Sequence, residues 1–202
     1  MALAQRDAQE SDITALCDIF FAAFADDLVI SQTFPDVPDV RAFWENGLKK
    51  SLADPKCHVR CIVDTALPGT PVVAYSQWMA CDKDAPQPEG PMYPSGGNVQ
   101  VSETFFSQLR NKKMEIMKGR EYWYLNLLCC RPSHQGRGIG RLLMQYGVDL
   151  ADKEGKEVYV EASPPGVPVY KKFGFKAVDK VVMFDGRFTE LLMLRDAKKA
   201  IA

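Results

Sequence analysis

The chain has 202 residues, 47% of them hydrophobic, enough to bury an ordinary core as one large domain or two small ones. Its 25 basic and 26 acidic side chains leave a net charge of −1, which excludes a nucleic-acid or membrane footprint beyond a local basic patch. The opening "MALAQRDAQE" is too polar for a secretory signal, and no apolar run approaches the ~18 residues of a membrane span.

In chain order, "SDITALCDIFFAAF" (11–24) places Ile13, Leu16, Cys17, Phe20 and Phe24 at helical spacing, with Ser11 or Asp12 as cap. A second helix is expected over 38–54, with Gly47 as a point of bending. "HVRCIVDT" (58–65) and "VVAYSQWMA" (72–80), joined by "LPGTP", predict an antiparallel hairpin. Residues 82–98 hold four prolines and three glycines and read as a loop. Its "APQPEGPMYP" is a candidate lid over a binding site. A helix over 102–119, a strand over 121–130, a glycine turn and a helix from about 138 to 154 follow, with Gly155 ending the last. Then come a strand over 157–162, a short helix within 166–175 stopped at Gly174, and strands near 175–184 and 188–194. This order describes a single α+β (mixed α/β) domain over 1–202 around one central sheet, with a loop and helix insert at about 82–120. No repeat or low-complexity segment interrupts it.

The six cysteines (Cys17, Cys57, Cys61, Cys81, Cys129, Cys130) form no C-x-x-C pair, and the two histidines are His58 and His134. Zinc is therefore not expected, and the thiols read as reduced, mostly buried groups of a cytoplasmic protein.

The informative stretch is "QGRGIG" (135–140), between a strand and an apolar helix. Amides at a helix start lack partners and carry the positive end of the dipole, so this turn suits an anion, with Arg137 and Arg141 adding charge. A plain turn with surface arginines is the bland alternative. The P-loop string is absent, and Arg141 stands where a dinucleotide fingerprint needs its third glycine.

The string matches Q/R-x-x-G-x-G/A, and here the chain resembles the GNAT superfamily of GCN5-related N-acetyltransferases. The closing "VYKKFGF" (169–175) resembles that family's C-terminal signature, and the resemblance covers about 121–178. It implies a central mixed, largely antiparallel sheet flanked by helices and splayed where acyl-CoA enters. It implies acetyl-CoA as cosubstrate, no metal, and donor contacts from Gln135, Gly136, Arg137, Gly138, Ile139, Gly140 and Arg141. The amides of Leu128 and Cys130 would face the pantetheine arm and thioester. Leu128 would hold the thioester oxygen as charge develops, and Ser163 replaces a common pantetheine-binding Asn. Tyr170 stands at the signature tyrosine that commonly protonates the leaving thiolate, and so also contacts the donor.

Period-two alternation puts Tyr122, Tyr124, Asn126, Leu128 and Cys130 on one strand face and Trp123 on the other. Some family members carry Glu or His at the positions of Tyr122 and Tyr124, where this chain has none. A water relay ordered by Tyr124 and Asn126 is the expectation, with Glu161 and Glu103 as alternative bases and His134 facing solvent. Phe20, Phe21, Phe24, Phe34 and Trp44 fall in the helices that flank an acceptor cleft in such folds, although at least three of them read as core. The expected reaction is direct acetyl transfer, in a ternary complex, to the amine of a small molecule by a monomer or homodimer. The alternatives are a non-catalytic acyl-CoA sensor, a peptide N-terminal acetyltransferase and, more distantly, a nucleotide-binding oxidoreductase.

Overall fold

The computed structural model describes residues 2–83 and 93–198. Among these residues seven strands form one sheet in the order β1-β2-β3-β4-β5-β7-β6. They are β1 (Leu3–Asp7), β2 (Cys57–Asp64), β3 (Val72–Cys81), β4 (Tyr122–Cys130), β5 (Glu157–Ala162), β6 (Lys176–Met183) and β7 (Phe188–Arg195). The helices are α1 (Ile13–Ala23), α2 (Ile30–Thr33), α3 (Pro38–Ala53), α4 (Val99–Met117), α5 (Ile139–Glu154) and α6 (Val167–Lys172). Neighbouring strands are antiparallel except β4 and β5, which α5 connects in parallel. A parallel pair needs such a crossover, because a tight turn cannot return the chain to the same edge.

The two faces of the sheet carry separate cores. α5 packs Met144, Val148 and Ala151 against Trp78, Trp123 and Leu125, and packs Ile139 and Leu143 against Ile62 and Ala74. On the opposite face α1 and α3 cover β2 and β3, while α4 covers Tyr124, Tyr159 and Leu192. The helical periodicity is thus explained by one buried stripe per helix.

Three features depart from the sequence reading: β1, the cap of α1 and α2. The polar opening residues form edge strand β1, paired to β2 from Leu3↔Asp64 to Asp7↔Arg60. Charged residues suit an edge, where one side of the strand stays in water. Asp12 does not cap α1 through its side chain. It accepts from the Gln9 amide at 2.8 Å and takes the Arg6 fork at 2.6 and 2.8 Å, tying β1 to the start of α1. The short helix α2 was also not anticipated. α3 runs unbroken through Gly47. The proposed lid "APQPEGPMYP" falls, apart from Tyr93 and Pro94, outside the described residues.

Candidate active site

The β4–β5 ladder runs from Tyr122↔Glu157 to Leu125↔Val160 and stops, although β4 continues to Cys130. At this point β4 contains a β-bulge. Trp78 pairs with Leu125 and Gln77 with Leu127, so Asn126 is the extra residue. Its Nδ2 donates to Gln77 Oε1 at 2.9 Å.

One inserted residue reverses the parity of every side chain beyond it. Tyr122 and Tyr124 pack on the α4 face, whereas Leu128 and Cys130 pack on the α5 face. Leu127 and Cys129 take the place expected for Leu128 and Cys130. The expectation that Tyr122, Tyr124, Asn126, Leu128 and Cys130 share one face is therefore corrected. Trp123 does lie on the opposite face from the tyrosines.

The backbone beyond the bulge has a defined direction. The Arg131 amide donates to the Val73 carbonyl at 2.8 Å. Alternation along an antiparallel ladder then turns the Leu128 and Cys130 amides away from β3, toward the side where β5 has diverged.

β4 leads through a 3-10 turn, Pro132–His134, into the glycine segment. The Gln135 side chain donates to the Cys130 carbonyl at 3.2 Å and fastens the turn to the strand end. Gly136 and Gly138 have φ of 73° and 79°, a region that disfavours a Cβ. Gly138 is the N-cap of α5 and offers no side chain to bond the first amides. Among the described residues the amides of Gly136 to Gly140 have no backbone partner; inward bonding resumes with the Arg141 amide on the Gly138 carbonyl at 3.1 Å. Gly140 has a different reason to be glycine. Its φ is ordinary and a Cβ there would make normal contacts, 3.8 Å to Leu128 Cδ2 and 3.9 Å to Val169 Cγ1. A glycine within a helix costs about 0.5–1 kcal/mol against Ala. The fold does not require this one, but a group lying against the turn would. Ile139 is buried under the sheet and anchors the helix, while Arg137 and Arg141 are exposed and make no ion pair among the described residues.

His134, expected to face solvent, is buried at 8% exposure. It lies 3.5 Å from Asp64 and 2.8 Å from Ser133 Oγ, and so braces the turn against β2.

On the α4 face, next to the splay, lies a cavity of about 940 Å³. Tyr124, Asn126, Leu128, Ser163 and Tyr170 line it, as do Glu161 and Glu190. The turn residues 135–141 and Cys130 do not, and Leu128 connects the two regions. The Tyr124 hydroxyl donates to Glu161 at 2.6 Å, and Lys113 Nζ sits 4.0 Å from the Tyr124 ring centroid and 3.9 Å from Glu161. Burial, then the Glu161 charge, pushes the Tyr124 hydroxyl pKa up. Burial, then Glu190 and Cys129, does the same for Tyr170, which therefore keeps its proton. Tyr170 belongs to the α5-face core yet lines the cavity, beside the opening between β4 and β5. Glu103 is exposed on α4 and is not part of the cavity wall. Phe20, Phe24, Phe34 and Trp44 line the cavity, and Phe21 does not.

Glu190 was not singled out from the sequence. A signal existed: in "FTELLMLR" it occupies the inward parity of β7 shared by Phe188 and Leu192, where an acid is out of place. No cluster of three or more His, Cys, Asp or Glu able to hold a metal occurs among the described residues.

Residues 101–190 match the family model described as an acetyltransferase (GNAT) domain. Over this stretch the chain is similar to GNAT acetyltransferases. The chain is also 30% identical over 82 residues to the uncharacterized N-acetyltransferase C550.08 of Schizosaccharomyces pombe. That alignment spans 39% of this chain and 33% of the relative's length. The same fold recurs in a solved structure of a histone acetyltransferase HPA2 and related acetyltransferase from Corynebacterium glutamicum. It is 20% identical, with TM-score 0.67 and all of both chains covered. The C-terminal condensation domain of Ebony, solved with beta-alanyl-dopamine, superposes with TM-score 0.72 at 9% identity over 96% of this chain and 99% of that one. The open, mostly antiparallel sheet and its flanking helices are the GNAT fold.

Proposed function

We propose that this protein is a GNAT-type, acetyl-CoA-dependent N-acetyltransferase that acts on the amine of a small molecule by direct transfer within a ternary complex. The observation that carries the reading is the glycine turn: five successive amides without backbone partners and two arginines without carboxylates among the described residues, and a helical Gly140 whose missing Cβ serves no need of the fold. Gln135, Gly136, Arg137, Gly138, Ile139, Gly140 and Arg141 would grip the donor's diphosphate there. The Leu128 and Cys130 amides, turned toward the β4–β5 gap, would direct the pantetheine arm, with Ser163 opposite.

In this reading the Leu128 amide donates to the thioester oxygen as negative charge gathers on it. The Tyr170 hydroxyl gives its proton to the departing sulfur and recovers one from the newly acylated nitrogen, so the tyrosine is unchanged after each turnover. Tyr124 holds Glu161 in place, and Asn126 fixes the bulge that aims Leu128. A cysteinyl intermediate is disfavoured. Burial pushes the Cys130 thiol up to about 11 and raises Cys129 as well, so neither is a ready nucleophile at neutral pH. The aromatic lining of the cavity suits a small organic amine better than an extended chain, and the dopamine-derived ligand of the Ebony domain is of that size class. We take residues 1–202 as one cytoplasmic domain, monomeric or dimeric, in keeping with its single sheet and six free thiols.

A thermal scan against CoA, acetyl-CoA, longer acyl-CoAs and NAD(P), paired with thiol release in the presence of an amine panel, tests the reading. Stabilisation by CoA species alone, with thiol release, is expected. Gly138→Glu, which sets a carboxylate against the anion site, should abolish the CoA-dependent shift. An undiminished shift in that variant would remove the turn from donor binding. Stabilisation without turnover across the panel would favour an acyl-CoA sensor.

A further inference from the structure

Glu190 is 7% exposed, lines the cavity, and makes no hydrogen bond or ion pair among the described residues. A buried carboxyl without a partner is costly to the fold and calls for an explanation in terms of what enters the cavity. Glu161 differs, because Tyr124, Tyr159 and Lys113 already engage it. The ladders give the relation between the two acids. Glu161 pairs with Leu192 and Val181 with Glu190, so both acids stand on one sheet face, a diagonal step of about 7–8 Å apart by ladder geometry. From the α2 side Asp27 also faces Glu190, and from α6 the Tyr170 hydroxyl does. Asp27 is partly engaged, since one of its oxygens accepts from the amides of Val29 and Ile30. Rings of Phe20, Phe24, Trp44, Tyr93 and Phe106 form much of the remaining wall.

Resting on the transferase reading above, we propose that Glu190 is the general base, and that it receives the ammonium of a primary amine whose aromatic or apolar body lies among these rings. The N–H bond of the ammonium breaks, its proton passes to a Glu190 carboxylate oxygen, and the freed lone pair on nitrogen attacks the thioester carbon. Carbon–sulfur cleavage follows, Tyr170 protonates the sulfur, and Glu190 returns its proton to water. Burial, then the charges of Glu161 and Asp27, holds the Glu190 carboxyl up to about 8, close to an alkylammonium and so an effective acceptor from it. The nearby Lys113 on α4 is engaged by Glu161 at 3.9 Å and by the Tyr124 ring at 4.0 Å from its centroid.

The test is the pH profile of kcat/KM at saturating acetyl-CoA, for benzylamine and for a second arylalkylamine whose own pKa is about a unit higher. In the wild type kcat/KM should climb through about pH 8 for both amines and fall above each amine's own pKa. Glu190→Gln should lower kcat/KM by about 100-fold or more near neutrality, and its profile should rise to each amine's pKa and level off. Acetyl-CoA affinity should be unchanged and Glu190→Asp should restore part of the rate. A Gln variant with wild-type rate and profile overturns the assignment of Glu190 while leaving the transferase reading intact. Should the Gln variant fail to fold, the wild-type profiles decide alone: a rising limb that moves with the amine rather than staying near 8 overturns the proposal. A wild type that binds acetyl-CoA and acetylates no amine overturns the transferase reading, and this inference with it.

Discussion

Several individual residues are fixed by single contacts. Gly147 in α5 faces the ring of fully buried Trp78, and a Cβ there would fall 2.2 Å from Cδ2 and Cε2. The helix crosses the sheet closely because this side chain is absent. Gly147→Ala should therefore destabilise the protein by about 1–2 kcal/mol, the overpacking cost outweighing the gain in helix propensity. A lowered urea midpoint at unchanged m-value would show it. Gly166 plays a comparable part beside Tyr170, since its Cβ would come 2.8 Å from the tyrosine ring. Tyr170→Phe keeps the ring and removes the proton. It should leave acetyl-CoA affinity intact and slow turnover by about 10²-fold, the usual scale for one general acid. Turnover equal to wild type in a thiol-release assay would take Tyr170 out of the mechanism.

At the level of elements, β4 does the positioning. Its first half is locked between β3 and β5, and its second half has a partner on one side only. The bulge at Asn126 marks the change. It keeps Tyr124 toward Glu161 and turns Leu128 to the opposite face beside Gly140, which no regular strand of this sequence would do at once. Asn126→Ala removes the donor to Gln77, a side chain 3% exposed, and leaves its carbonyl oxygen short of a partner. A loss of about 1–2 kcal/mol by urea unfolding is expected. α5 starts on a glycine with no capping side chain, so its first amides stay open. A Ser or Asp at that position would close them on itself.

Across the whole molecule the acids gathered around the cavity link stability to pH. Glu190 titrates near 8 in the folded protein, against about 4.5 for an ordinary Glu. Between those values the folded state binds a proton that the unfolded state has lost. Stability contributed at this site is therefore full at low pH and declines as pH rises through the window. The decline should be on the order of 5 kcal/mol by the alkaline end. Glu190→Gln should erase it, so the variant should melt above wild type at pH near 9 and close to it near 5. Parallel melting curves for the two proteins across that range would contradict the buried placement of Glu190.

The sequence by itself determined whatever depends on neighbours a few residues apart. Helical spacing fixed α1, α3 and α5, alternation fixed the β2–β3 hairpin, and "QGRGIG" and "VYKKFGF" marked the turn that opens α5 and the short helix α6. Strand β5 was readable to the residue for the same reason. Tertiary structure alone decided what depends on distant partners. β1 exists because β2 offers it a distant edge in the register Leu3↔Asp64 to Asp7↔Arg60, and its own composition gives no strand signal. The parity of β4 beyond Asn126 is set by β3, His134 is drawn inward by Asp64, and Glu190 meets Glu161, Asp27 and Tyr170 only when four separate elements converge. Periodicity reports which face of an element turns inward. It carries no record of which charges the fold will place opposite one another, and that placement determines which carboxylate can take a proton.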